Sequence, residues 1–136
     1  MSIDRLDHIS VRTLDVEATR AFYEDVLGLA KGWRPDFSFP GVWLYEGERA
    51  VVHVIGIDPD DASGLQDYLG DRQSDGQGSG MFDHVAFFCN DLDGMRRSFE
   101  DRKLEFRERT VPNLALHQIF LTDPNGITVE LNFSKG

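Results

Sequence analysis

Apolar and polar residues alternate in short runs along the 136-residue chain, the period-two signature of half-buried strands. Leu6-Asp7-His8-Ile9-Ser10-Val11 is one such run and Phe82-Asp83-His84-Val85-Ala86-Phe87 is another. Each leads through a polar turn, TLDVEA or NDLDGM, into a stretch with helical spacing. In the first stretch Asp15 is placed to cap and Glu17 lies in the first turn; Ala18, Ala21, Phe22 and Val26 form an apolar stripe that Gly28 ends. In the second, Leu92, Met95 and Phe99 form a weaker stripe. Strands are predicted near 5–12, 29–34, 42–46, 50–56, 82–89, 104–110, 115–122 and 127–133.

The two halves repeat one another. LDHISV at 6–11 lies over FDHVAF at 82–87 with an offset of 76, and WLYEGERAVVHV at 43–54 over FLTDPNGITVEL at 120–131 with an offset of 77. Trp43 then falls on Phe120 and His53 on Glu130. Glu46-Gly47-Glu48 and Asp123-Pro124-Asn125-Gly126 supply the turns. Each half reads β-α-β-β-β, so the expected fold is α+β: two paired βαβββ modules, about 1–57 and 82–136, within a single domain. The acidic, glycine-rich segment 58–81 between them reads as a linker with one short helix around 62–69.

Strand alternation sorts the polar residues by face. Ile9, Val11, Val52 and Val54 should meet the first helix, which turns His8 and His53 away from it. Val85, Phe87, Val129 and Leu131 should meet the second, which turns His84 and Glu130 away. An imidazole inside the buried-strand run AVVHVIG, at His53, needs a hydrogen-bond partner or a metal. Most strand histidines are satisfied side chains. Here, however, three of the chain's four histidines fall at matched positions of the repeat. If the modules pair so that these faces form a cupped mixed sheet around a hollow, His8, His53, His84 and Glu130 converge. Three neutral imidazoles and a carboxylate suit a divalent ion of Mn, Fe, Co, Ni or Zn. The same parity points Trp43, Phe120 and Gln118 toward the hollow and His117 away from it, unless a strand bulge intervenes. RPDFSFPGVW, 34–43, would add an aromatic wall, although Phe37 and Phe39 read equally well as core. Arg34 and Arg12 are candidates to hold a substrate carboxylate.

Charge and cysteine content bound the rest. Asp and Glu number 24 against 14 Lys and Arg, a net charge of −10, which argues against nucleic acid or an anionic membrane as partner. Cys89 is the only cysteine, so no intramolecular disulfide is possible. MSIDRLDHISV lacks the basic start and apolar core of a signal peptide, and no apolar run has membrane-spanning length. A soluble, cytoplasmic protein is expected.

LDHISVRTLDVEATRAFYEDVLGL, WLYEGERAVVHV, FDHVAFF and LTDPNGITVELNF together resemble the vicinal oxygen chelate superfamily, which contains glyoxalase I, fosfomycin-resistance thiol transferases, extradiol dioxygenases and bleomycin-resistance proteins. The resemblance spans nearly the whole chain outside 58–80. It implies paired βαβββ modules cupped around a metal. In the glyoxalase branch the ligands come from the first and fourth strands of both modules, here His8, His53, His84 and Glu130; the position of His53 is more often glutamate there. In the transferase and dioxygenase branches the triad corresponds to His8, His84 and Glu130. The resemblance also gives Glu130 the role of metal-bound base and implies a homodimer.

Three functions follow. The leading one is a metal-dependent lyase or isomerase that chelates a small substrate through adjacent oxygens and stabilises an enediolate or similar oxyanion. The second is an extradiol-type ring-cleaving dioxygenase using Fe(II) with His8, His84 and Glu130. The third is a non-catalytic drug-binding resistance protein.

Overall fold

The computed structural model describes residues 5–58, 60, 78, 82, 84–111 and 115–134. The chain divides into two compact units, Met1–Gln77 and Gly78–Gly136. The expected linker at 58–81, with its short helix, lies outside the described residues apart from Asp58, Asp60 and Gly78.

In the first unit β1 (Ile9–Thr13) leads into helix α1 (Val16–Ala21), then β2 (Ala30–Gly32), β3 (Gly41–Glu46) and β4 (Arg49–Gly56). The second unit repeats this with β5 (His84–Cys89), α2 (Leu92–Asp101), β6 (Arg107–Val111), β7 (Leu116–Thr122) and β8 (Thr128–Ser134). The sheet orders are β1-β4-β3-β2 and β5-β8-β7-β6. In both, the helix carries the chain to the far edge and an antiparallel meander brings it back, so the last strand pairs parallel with the first. These are the two mixed βαβββ sheets of the α+β fold read from the repeat.

The repeat also holds at the level of register. Ser10 faces His53 as Ala86 faces Glu130, and Trp43 faces His53 as Phe120 faces Glu130. Strand alternation therefore sets His53 and Glu130 at one position of two copied sheets. The opposite faces carry the cores. Val11, Leu44, Val52 and Val54 are buried in the first unit, and Phe99, Ile119, Val129 and Leu131 in the second.

Three details depart from the sequence-based expectations. First, β1 begins at Ile9 rather than near residue 5; the Arg49 guanidinium donates to the Leu6 carbonyl at 3.0 Å, so side chain replaces ladder there. Second, β6 begins at Arg107 rather than near 104. The backbone N–H of Leu104 still bonds the Phe99 carbonyl of α2 and Lys103 takes positive φ, so residues 104–106 are spent leaving the helix. Third, the first helix widens into a π-helical turn over Phe22–Val26. The Leu27 N–H reaches back to the Phe22 carbonyl at 3.1 Å. Widening a turn changes how consecutive side chains fan out, and here adjacent Phe22 and Tyr23 are both buried, Tyr23 at 0% exposure. Of these two, the stripe read from sequence contains Phe22 and omits Tyr23.

Polar side chains fasten the turns. Asp15 caps α1 by accepting the Ala18 N–H at 2.9 Å. Behind it the Thr19 hydroxyl donates to Thr13 Oγ1 at 3.0 Å, and the Asp15 N–H donates to the same oxygen at 2.9 Å. In the second unit the buried Asp123 carboxylate accepts the N–H groups of Asn125 and Ile127 at 2.8 and 2.9 Å. That is the physical content of the DPNG turn, whose Gly126 takes the positive φ of 86°.

On the helix face of the second sheet, Glu108 bridges two elements. Its carboxylate receives Arg96 of α2 at 2.8 Å and lies 2.7 Å from His117 Nε2. His117 thus lies on the face that parity assigns it; β7 pairs with both neighbours without a bulge. The Arg96 guanidinium, and after it the His117 contact, hold the Glu108 carboxyl below its usual range. A depressed carboxyl contributes stability that is present above its unfolded-state pKa and lost as pH falls through the folded one. Glu108→Gln is therefore expected to lower stability by about 1 kcal/mol at pH 7. The difference from wild type should disappear only at a pH low enough to protonate the depressed carboxyl in the folded state as well, below the ordinary carboxylate range. Urea denaturation at the two pH values reads this directly; an equal loss at both would mean that the ionised carboxylate does not clip the helix.

Candidate functional site

The first unit presents a stack of three rings on the face away from α1. The His53 imidazole lies between His8 and Trp43, with centroid distances of 3.7 Å to each and interplanar angles of 12° and 8°. Trp43 is placed by its register opposite His53, and His8 sits in the residue just before β1. His8 Nδ1 and Asp7 Oδ2 are 2.6 Å apart. A carboxylate on Nδ1 holds the proton there and leaves Nε2 as the lone-pair nitrogen, the arrangement that prepares histidine to bind a metal. His53 is 5% exposed and its Nδ1 is buried without a hydrogen bond. Burial, and then the neighbouring His8, push its pKa down to about 4, against the opposing effects of the Ala50 backbone and Asp7. His53 is therefore neutral at pH 7, as a ligand must be.

In the second unit His84 Nε2 stands 3.7 Å from Glu130 Oε1, too far for a hydrogen bond. The other carboxylate oxygen is held. Asn132 Nδ2 donates to Glu130 Oε2 at 3.0 Å, and Gln118 Nε2 donates to Asn132 Oδ1 at 2.9 Å. This amide chain orients Glu130 and leaves Oε1 on the side of His84. Asn132 is 8% exposed and belongs to the site as much as Gln118. The sequence analysis passed over it; its spacing of two from Glu130, which puts it on the same face of β8, was the available signal. Asp7 was likewise passed over, because strict alternation with Ile9 and Val11 would set it on the helix face.

Of the other expected site residues, Phe120 lies opposite Glu130 with the Arg107 guanidinium 4.5 Å from its ring centre. Arg12 lies in β1 opposite Ile55, half-buried. Arg34 is committed within its own loop, donating from Nη2 to the Phe39 carbonyl at 2.7 Å and lying over the rings of Phe37 and Phe39. Phe39 is buried with Ile55, and Phe37 packs against them, so this part of 34–43 fills core. Trp33 is exposed and meets Trp43 edge-on at 6.2 Å.

The donor set fits a divalent ion in chemistry, and less completely in arrangement. Each unit brings two of the expected donors together, and among the described residues neither unit gathers three. His8 with its occupied Nδ1, the buried unbonded Nδ1 of His53 and the half-held Glu130 all suit ligation. The face-to-face rings of His8 and His53, however, send their in-plane lone pairs side by side rather than toward one point. Of the four, His53 fits least well.

With fold and site in view, comparison with known proteins gives the class. Residues 5–131 match the family model described as the Glyoxalase/Bleomycin resistance protein/Dioxygenase superfamily, and the chain belongs to that family. It is 22% identical over 134 residues to "Glyoxylase I 4" of Arabidopsis thaliana, covering 96% of this chain and 71% of that one. Among solved structures, the fosfomycin resistance protein FosX of Listeria monocytogenes superposes with a TM-score of 0.70 at 16% identity, over 99% of this chain and 93% of that one. Lactoylglutathione lyase from Agrobacterium tumefaciens does so with a TM-score of 0.68 at 23% identity, over 98% and 96%. At such identities the structures establish a shared fold. Among the described residues no helix is long and apolar enough to cross a membrane.

Proposed function

We propose that the chain is a divalent-metal-dependent lyase or isomerase acting on a small molecule chelated through two adjacent oxygens. His8, His53, His84 and Glu130 are its ligands and Glu130 its base. One observation supports this above the others: two copies of one sheet carry a ligand-type side chain at the same register position, opposite an aromatic residue and beside the first histidine of the module. The reading requires the donors of both units to reach one ion, within a chain or across a homodimer.

A divalent ion held by these residues supplies chelation and stabilises the negative charge that grows on the substrate oxygens. The protein's own groups do the rest. Asp7 keeps His8 in the tautomer that offers Nε2. Asn132 fixes one oxygen of Glu130, so the free Oε1 takes the proton from the neighbouring carbon. Trp43, Phe120, Gln118 and Arg12 line the substrate's place, and Arg34 supports it from its loop.

The ring sandwich favours a second reading for the ligand set. With the His53 ring stacked nearly parallel to His8, so that the in-plane lone pairs of the two do not converge, His8, His84 and Glu130 would hold the ion alone and leave three positions open, as an Fe(II) ring-cleaving dioxygenase needs. Metal analysis after loading with Mn, Fe(II), Ni or Zn is expected to give about one ion per chain, with His8→Ala and His84→Ala unloaded. If His53→Ala binds metal like wild type, the three-ligand set is correct. Turnover of a hemithioacetal with Ni or Zn supports the lyase, whereas cleavage of catechol with Fe(II) and no action on the hemithioacetal replaces it with the dioxygenase.

A further inference from the structure

We infer that Arg107 and Arg109 form an anion-binding subsite on the Glu130 face of the second sheet, which makes the substrate a chelating molecule that also carries a carboxylate. The inference rests on the proposed site and narrows what it accepts. β6 reads Arg107-Glu108-Arg109, and its alternation divides the three. Glu108 turns to the helix face, where Arg96 and His117 take it up. The two arginines turn the other way. Arg107 pairs with Phe120, which pairs with Glu130; Arg109 pairs with Gln118, which pairs with Asn132. Each arginine thus heads a row of side chains that ends on Glu130 or on the amide that holds it.

Both cations are left over. In a chain of net charge −10, Arg20 is held by Glu17, Glu24 and Asp25, and Arg96 by Glu108 and Asp93. Among the described residues Arg107 and Arg109 are in no ion pair. Glu130, on their face, gives one oxygen to Asn132 and the other faces His84. The Arg107 guanidinium rests 4.5 Å from the centre of the Phe120 ring, which orders it without neutralising it. Residues two apart on one strand are separated by about 7 Å, a spacing from which two planar forks can close on one carboxylate. Two strand spacings, about 10 Å, separate Arg107 from Glu130 at the backbone, and Phe120 lies between them. The carboxylate is therefore a ring's width or a short chain away from the chelating oxygens.

The test compares 3,4-dihydroxybenzoate with 3,4-dihydroxybenzamide, two probes with the same adjacent oxygens and different charge. Binding is titrated by calorimetry to the full chain, with and without Zn. Wild type is expected to prefer the acid by about 10-fold, less at high salt. In Arg107→Gln/Arg109→Gln the two affinities should come within about 2-fold of each other while amide binding is unchanged; Arg97→Gln, on the surface of α2, should keep the preference. Equal affinities in wild type, an undiminished preference in the double variant, or no binding of either probe overturns the subsite. If the acid preference persists but Zn strengthens neither probe, the subsite stands and the metal reading falls.

Discussion

Glu130→Ala is expected to lose its divalent metal and, with it, turnover by three to four orders of magnitude. In the proposed site one side chain serves as both ligand and base. The size of the effect follows from how its two oxygens are used: Oε2 accepts from Asn132, and Oε1 faces His84. Asn132→Leu separates holding from ligating. It keeps the carboxylate and removes the donor that fixes it, so metal affinity should fall by about 10- to 100-fold, as when an outer partner of a ligand is removed. Calorimetric titration with Mn, Ni and Zn ranks the two variants. If Glu130→Ala binds as tightly as wild type, the centre is misassigned. If only Asn132→Leu does, the amide chain serves packing alone.

The second large effect is on stability. Tyr23→Ala is expected to destabilise the first unit by about 3–5 kcal/mol, a large part of the 5–15 kcal/mol typical of a whole domain. The ring is fully buried because the helix opens into a π turn beneath the sheet, beside Phe22 at a centroid distance of 5.1 Å. Tyr23→Phe retains the ring and should recover most of the loss. Urea unfolding followed by circular dichroism measures both; a loss below about 1 kcal/mol for Tyr23→Ala would show the site collapsing without cost.

These two cases mark where the sequence could be read and where it could not. Strand parity needs only alternation, so it assigned His53, His84, Glu130 and His117 to faces that the register bears out. The helix stripe needs a constant period, and the π turn breaks that period at Phe22–Val26; Tyr23 was lost for this reason. The start of β1 was misplaced because Arg49, far along the chain, satisfies the Leu6 carbonyl. The His8–His53–Trp43 stack and the Gln118–Asn132–Glu130 chain depend on rotamers, which a pattern of residue types does not encode. The family was readable because duplicated motifs survive where individual contacts do not; the reaction was not, because one fold carries several chemistries.

The parallel return of β4 beside β1 and of β8 beside β5 has a consequence for how the chain comes to be made. Neither sheet can close until its final strand has been synthesised, some forty residues after its first, so early nascent segments wait unpaired on the ribosome. That places the slowest event of each half at its last strand. It also means that each unit is a complete hydrogen-bonded object, whose fourth strand carries histidine in one copy and glutamate in the other without disturbing the ladder.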